Sequence, residues 1–240
     1  MSPEKAGSLY LLPNTLGDVA AEAVIPAAAL HRARSLDYFI AEDPKSARAF
    51  LKRIDFPRPL QELRIERLDH NTPTKEIAPL LEPILGGRDA GLLSEAGVPA
   101  VADPGAALVR LAHENSVRVV PLSGPSSILL ALSASGLEGQ RFAFHGYLPV
   151  KRPELEGALK ELERQSRRLA QTQIFIETPY RNDATLATMV RVLDDNTLVC
   201  IAADLTLESE MVKTLRAAQW RGAAPPLKGH PVVFLFLSVR

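Results

Sequence analysis

Short apolar runs alternate with longer amphipathic segments along almost the whole chain. SLYLLP (8–13), LDYFIAED (36–43), DAGLLS (89–94) and VRVVPLS (117–123) have the length of strands and stop at acids, serine or proline. The segments between them follow a helical period. PKSARAFLKRI sets Ala47, Phe50, Leu51 and Ile54 at helical spacing behind Pro44, which suits a first helical turn. TKEIAPLLEPILGG (74–87) predicts a helix bent at Pro79 or Pro83 and stopped by Gly86 and Gly87. GAALVRLAHENS predicts another, and GPSSILLALSASG a helix apolar nearly all round and therefore buried. Strand and helix alternating in this way predict a mostly parallel α/β sheet.

The texture changes near residues 140–153. RFAFHGYLPVKRP is aromatic, then basic, then proline-containing, which is expected of a crossing between domains. Beyond it come a charged helix, PELEGALKELERQSRRLAQ, a strand TQIFIET (172–178), a helix from Pro179 to about Leu193 and a strand TLVCIAA (197–203). The stretch from Leu207 to Arg216 fits neither period, and HPVVFLFLSV (230–239) reads as a closing strand. The expectation is two α/β domains, residues 1–146 and 147–240, with no internal repeat.

Composition narrows the class. The chain has 240 residues, 46% of them apolar and 23% charged, which is ordinary for an enzyme-sized core. Lys+Arg and Asp+Glu both number 28, so no global basic excess exists for gripping nucleic acid by charge alone, although a local basic face remains possible. No apolar stretch reaches the roughly 18–20 residues of a membrane span, and MSPEKAGS lacks the apolar region of a secretory signal. The single cysteine, Cys200, lies in an apolar run and reads as a buried structural thiol. Without clustered Cys/His spacing no metal site is expected. The reading is a cytoplasmic, metal-independent protein.

The chemistry gathers in loops. No G-x-G-x-x-G follows the first strand, and neither a G-x-x-x-x-G-K-[ST] nor a G-x-S-x-G motif occurs. What remains is PNTLGD (13–18), AEDP (41–44), SEAGVPAVADPG (94–105), LSGPSS (122–127), ETPYR (177–181) and ADLTLESE (203–210), each after a predicted strand. In an open α/β sheet the carboxyl edge is where ligands bind. Gly97, Gly105 and Gly124 would let backbone approach a ligand, while Ser126 and Ser127 suit either a helix cap or an acidic group. Any one of these loops alone is ordinary turn chemistry; their joint placement is the signal.

The combination of LSEAGVPAVADPGAALVRLAHE, VVPLSGPSSILLALSASGL, FHGYLPVK and IFIETPYR resembles the tetrapyrrole-methylase superfamily of S-adenosylmethionine-dependent methyltransferases. Within it the likeness is to the small-subunit ribosomal RNA methyltransferase I branch, whose members methylate a cytidine ribose oxygen. LYLLPNTLGD, FIAEDPKSARAFLK, DHN (69–71) and, more weakly, ADLTLESE and KGHPVVFLFL extend it over nearly the whole chain. The resemblance implies two α/β domains, unlike the Rossmann methyltransferases, with the donor in the cleft between them and commonly a homodimer. It assigns donor binding to Glu95, Gly97, Val98, Pro99, Val101, Ala102 and Asp103, to Ser126 and Ser127, and to Glu177, Thr178, Pro179 and Tyr180. The product is S-adenosylhomocysteine. The chain departs from the branch at Val98, where Thr is usual, at Glu95 for Asp, at Pro44 and Ser46 for Thr and His, and in its PNTLGD loop; the longer members also continue past the final strand. It lacks the G-x-G-P-G-D and G-D-P turns of the tetrapyrrole-methylating members, which disfavours corrin or siroheme acceptors.

Methyl transfer from a sulfonium needs chiefly in-line positioning, plus a base where the acceptor is a hydroxyl. Asp43, His70, Asp103 and Glu177 are the candidate bases. Asp43 and Asp103 precede prolines and equally suit helix starts, and His70 equally suits loop ordering. For a ribosomal RNA acceptor, Lys45, Arg48, Lys151, Arg152 and Arg181 are the candidate cations, Lys151 and Arg152 foremost, with Arg32, Arg34, Lys52 and Arg53 behind them. The arginines of the helix after residue 152 share it with four glutamates and read as a self-paired, solvated face. The expected function is 2′-O-ribose methylation of small-subunit ribosomal RNA. The alternatives are another acceptor, small-molecule or tetrapyrrole-like, and a donor-binding protein without catalysis.

Overall fold

The computed structural model describes residues 6–238, so the last position of the expected closing strand, residue 239, lies outside the described residues. The chain groups into two compact units, Met1–Ser126 and Ser127–Arg240.

In the first unit the chain runs β1 (Ser8–Leu12), α1 (Ala21–Val24), α2 (Ala27–Ser35), β2 (Tyr38–Ala41) and α3 (Pro44–Arg53), then a 3-10 turn (Leu60–Glu62) and β3 (Arg64–Arg67). It continues through α4 (Thr74–Leu85), β4 (Ala90–Leu93), α5 (Gly105–Glu114) and β5 (Arg118–Pro121). The sheet has the order β3-β2-β4-β1-β5, and every pairing in it is parallel. Alternating side chains serve opposite faces of the sheet. Tyr10, Leu12 and Phe39 pack with Leu30, Phe50 and Leu51, while Leu9, Tyr38 and Ile40 pack with Leu81, Ile84 and Leu108. The buried Tyr38 hydroxyl donates to the carbonyl of Leu80 (2.9 Å). Helix α4 carries both Pro79 and Pro83 within its span and ends at Gly86.

In the second unit the order is α6 (Ser127–Ser135), β6 (Phe142–Tyr147), α7 (Arg152–Leu169), β7 (Thr172–Ile176), α8 (Asn182–Val192), β8 (Leu198–Ala203), β9 (Met211–Arg216), α9 (Ala217–Trp220) and β10 (Val232–Leu237). Its sheet, β6-β7-β10-β8-β9, is mixed: β6 and β7 are parallel, whereas β10 runs antiparallel to β7 and β8, and β9 antiparallel to β8. The expectation of a mostly parallel sheet therefore holds in the first unit and not in the second. The α/β class, with two units and neither a Gly-rich first loop nor a Rossmann methyltransferase sheet, is as expected.

The units divide at Ser126 and Ser127, ahead of the crossing read near residue 146. The reason is α6, which packs on β8, β9 and β10, and whose Ser135 carbonyl accepts from the Thr214 hydroxyl (2.7 Å). RFAFHGY, read as a crossing, is edge strand β6 instead. Nor is α6 wholly buried. Ala131, Leu132 and Ser135 face the core, while Leu129 is 57% exposed.

Candidate functional site

Because the first sheet is parallel throughout, its carboxyl ends share one edge. The loops at 13–18, 41–44, 94–105 and 122–127 follow β1, β2, β4 and β5 onto that edge. Strand β4 sits between β2 and β1, so three of these loops are neighbours despite their distance in sequence. Asn14 joins two of them. Its backbone N–H donates to the Gly97 carbonyl (2.8 Å), and its side-chain amide donates to the carbonyls of Ser94 (3.2 Å) and Glu95 (3.0 Å). Its Oδ1 accepts the N–H of Thr15 at 2.8 Å, so the buried Asn14 has a partner at both ends of its amide.

The turn SEAGVPAVADPG is held open by its own backbone. Gly97, Ala100 and Ala102 all have positive φ, 69°, 64° and 62°. Glycine adopts this region freely, whereas each alanine is strained there. Asp103 fixes the shape: both carboxylate oxygens accept the Ala100 N–H at 2.8 Å, and one also accepts the Gly105 N–H at 2.8 Å. Burial pushes the Asp103 carboxyl up, against those two N–H groups, which pull it down. Gly105 opens α5 where a Cβ would lie 2.8 Å from a Leu92 methyl. Among the described residues, the N–H groups of Val98, Val101 and Ala102 have no acceptor. N–H groups left without an acceptor in such a turn suit the carboxylate or hydroxyls of a ligand.

Acids gather along the same edge. Asp43 is the N-cap of α3, accepting from the backbone of Lys45 (3.2 Å) and Ser46 (2.9 Å) and from the Ser46 hydroxyl (2.8 Å). The Ser46 hydroxyl first, and then those N–H groups, hold its carboxyl below the usual range. The next-door Glu42, absent from the sequence candidates, behaves oppositely. Burial pushes its carboxyl up, Glu95 and Asp103 add to that, and His70 opposes it. Asp69 closes a turn by accepting the Asn71 N–H (2.8 Å), with Thr72 and Arg67 also against it, and leaves His70 exposed beside it. A cavity of about 260 Å³ opens between these loops and α3, lined by Asn14, Thr15, Gly17, Ala49, Arg53 and Glu95 among others.

In the second unit, β7 and β8 are parallel to each other through the antiparallel β10, so their carboxyl ends share an edge with the start of β10. Glu177 is buried there and fully engaged. One oxygen accepts the N–H (2.7 Å) and hydroxyl (3.2 Å) of Thr178, and the other meets the Thr185 hydroxyl (3.3 Å) and Arg181 (3.3 Å). Pro179 accepts the Gly229 N–H, and Tyr180 is 70% exposed. Beside them Asp204 accepts from the Ser209 hydroxyl (2.8 Å) and contacts His230 (2.7 Å), a pair with no signal in the chain's spacing. The Oδ1 of buried Asn182 and the hydroxyl of Thr206 have no partner among the described residues.

Of the candidate cations, Lys151 pairs with Glu154 (3.8 Å), Arg152 with Glu156 (3.1 Å) and Arg181 with Glu177. Lys45 and Arg48 lie on α3 in the other unit, exposed and without an ion pair among the described residues. Ser126 ends the first unit and Ser127 opens α6; neither hydroxyl bonds a described residue. Cys200 is buried in β8, and burial pushes its thiol up. Among the described residues no helix is long and apolar enough to cross a membrane.

A pair of α/β units carrying ligand-ready loops at strand ends, without a dinucleotide motif, defines a class, and the comparisons agree with it. Residues 20–219 match the model of the Tetrapyrrole (Corrin/Porphyrin) Methylases, and the chain belongs to this family. It is a methyltransferase enzyme. Ribosomal RNA small subunit methyltransferase I of Escherichia coli is 35% identical over 206 residues, 86% of this chain and 68% of that protein. The protein of the same name from Mesorhizobium japonicum is 36% identical over 230 residues, 94% of this chain and 74% of that one. Among solved structures, the methyltransferase CobJ superposes with a TM-score of 0.63 at 16% identity, over 98% of this chain and 95% of that one. Uroporphyrin-III-C-methyltransferase from Thermus thermophilus superposes with a TM-score of 0.57 at 17% identity, over 97% and 92%. At those identities the two structures speak to the fold alone.

Proposed function

We propose that the protein methylates a ribose 2′-hydroxyl of small-subunit ribosomal RNA with S-adenosylmethionine as donor, releasing S-adenosylhomocysteine. The observation that carries this reading is the identity of 35–36% to ribosomal RNA small subunit methyltransferase I proteins over most of the chain. The donor supplies an already activated methyl group, so the chain's part is to bind, align and remove a proton.

The turn 94–105 is the donor's first platform, presenting the N–H groups of Val98, Val101 and Ala102 from a frame that Asp103 and Asn14 hold still. Ser126, whose hydroxyl bonds no described residue and which ends the same unit, is a further donor contact. Asp43, Asp103 and Glu177 have their carboxylate oxygens committed to the N–H and hydroxyl groups of caps and turns, which gives each a structural role. His70 and Glu42 make no hydrogen bond to a described residue and are left to take the hydroxyl proton as the oxygen–methyl bond forms and the sulfur–methyl bond breaks. The reading includes work in the cytoplasm, where ribosomal subunits are modified, and a homodimer.

Calorimetric titration with S-adenosylhomocysteine tests the donor, with micromolar binding expected and no binding at millimolar ligand refuting it. Labelled methyl transfer to small ribosomal subunits from a strain lacking the gene tests the acceptor, and nuclease digestion of the product locates the label. Donor binding without label in any RNA would favour a small-molecule acceptor or a non-catalytic role.

A further inference from the structure

Helix α3 differs from α7 in carrying no acid of its own to balance its cations. Its ten residues include Lys45, Arg48, Lys52 and Arg53 and no acid. The carboxylate at its start, Asp43, is taken up by the cap. Lys45, Arg48 and Lys52 are exposed, and among the described residues none of them forms an ion pair; Arg48 only reaches the Pro44 carbonyl (3.4 Å). Along α7, by contrast, Lys151, Arg152, Arg164 and Arg167 each meet a carboxylate. Positions 45, 48 and 52 fall on one stripe of a helix, so the row repels itself, by a few tenths of a kcal/mol for a like-charged i,i+4 pair. A chain with as many acids as bases had carboxylates to place there.

The adjacent stripe of the same helix, Ser46, Ala49, Phe50 and Arg53, is one wall of the 260 Å³ cavity. Arg53 crosses to the opposite wall, donating to the Thr15 hydroxyl (2.9 Å) and pairing with Asp18 (3.1 Å). Asp18 is 98% exposed, so that pair is worth little and can be exchanged for another anion. The Glu95 carboxylate, on the cavity lining, is free to accept from hydroxyls. The cavity, about 260 Å³, opens to solvent beside the α3 stripe and has room for part of one nucleotide.

We infer that α3 is the docking rail for a single-stranded RNA segment. The cavity takes part of one unstacked nucleotide, and Lys45, Arg48 and Lys52 hold the phosphates beside it. The inference rests on the RNA-acceptor reading above and assigns it a surface. Positions 45 to 52 span about 10 Å along the helix, enough for the three cations to meet successive phosphates of an extended strand. A nucleotide already out of a stack enters such a pocket without the cost of unpairing.

The test compares a triple variant, K45A/R48A/K52A, with a control triple on other surfaces, K75A/R110A/R118A. Binding of a 20-nucleotide single-stranded RNA, and of the matching duplex, is followed from 50 to 200 mM KCl, with S-adenosylhomocysteine affinity as the check on folding. Three lost phosphate contacts lower the slope of log K against log salt by about 2. The α3 triple is expected to bind single strands more than tenfold more weakly at 100 mM salt, with the control unchanged. Ala49→Trp, which fills the cavity, is expected to cut methyl transfer to ribosomal RNA at least tenfold while leaving donor affinity intact. If both triples weaken binding equally, or neither does, the rail is wrong although RNA remains the acceptor. Duplex bound as tightly as single strand also overturns it. If the wild type binds no RNA and labels none, the acceptor reading itself has failed.

Discussion

Asn14 is the residue on which the geometry of the first unit's edge depends, and its removal has a calculable cost. Asn14→Ala deletes the donations to the carbonyls of Ser94 and Glu95 and the acceptance from the Thr15 N–H. Each such bond contributes about 1 kcal/mol net, and a buried group left without a partner costs more. Asn14 also lines the cavity, so water can replace part of what is lost. The expected destabilisation is therefore about 2 kcal/mol rather than the full sum. For a chain of this size that corresponds to a fall in Tm of roughly 4–8 °C. Asn14→Asp has the same shape and separates geometry from bonding. It sets a carboxylate against two carbonyl oxygens, so its ionised form is disfavoured and its pKa is raised in the folded state. A raised folded pKa means that the penalty is present at high pH and fades as pH falls and the acid becomes a donor. Thermal melts of wild type and both variants at pH 5 and pH 8, with donor titrations at pH 8, make the measurement. Asn14→Asp should be the less stable variant at pH 8 and recover relative to Asn14→Ala at pH 5, and both should bind S-adenosylhomocysteine more weakly. Melts within 1 °C of wild type at both pH values would refute the idea that this side chain ties the loops together.

Three further outcomes follow from the same edge. Glu42 has a raised carboxyl because of burial and then of Glu95 and Asp103, so its contribution to stability is present below its unfolded pKa and is lost as pH rises through its folded one. Glu42→Gln should therefore raise Tm at pH 8 and leave it unchanged at pH 4; an equal shift at both would sink the assignment. Ala102 is exposed at φ 62°, so Ala102→Val should cost about 1 kcal/mol or more by backbone strain alone, whereas an exposed residue without strain would tolerate it in urea unfolding. A Cβ on Gly124 would lie 2.1 Å from the Pro13 Cβ, so Gly124→Ala should destabilise by roughly 1–3 kcal/mol, read as a lowered Tm, and a neutral result would mean that the loops after β1 and β5 are not in contact.

What the chain's pattern reveals is its interior. Central strands β1, β2, β4, β7, β8 and β10 are near-continuous apolar runs because both faces are covered, and all of them are legible in the sequence. The missed strands are edges. RIER in β3 has three charged residues in four, FAFHGY in β6 reads as a crossing, and MVKTLR in β9 fits no period. An edge strand needs partners on one side only and is free to carry charge, so apolarity does not mark it. The same limit applies to the candidate site. That loops follow strands can be read along the chain, but which loops are neighbours depends on strand order. Asn14 meets Glu95 across 81 positions because β4 inserts between β2 and β1, and the α3 cavity exists for the same reason. Likewise Asp43 and Asp103 stand before prolines whether they serve as caps or as bases, and only their N–H partners separate the two.

Those partners also explain how the turn 94–105 can tolerate Val98. Its shape comes from backbone conformations at Gly97, Ala100 and Ala102, from the Asp103 carboxylate and from Asn14, none of which involves the side chain at position 98. A hydroxyl lost there removes one bond to a ligand and none within the protein. On the proposed reading, donor recognition by backbone N–H groups is insensitive to side-chain change, while acceptor choice falls to side chains elsewhere on the edge. The cationic stripe and cavity wall of α3 are such side chains, and they lie within the same unit as the turn. Substitutions at Lys45, Arg48 and Lys52 should accordingly alter which nucleic acid is used and leave donor affinity alone, and substitutions at Asp103, which is not on the cavity lining, should do the reverse.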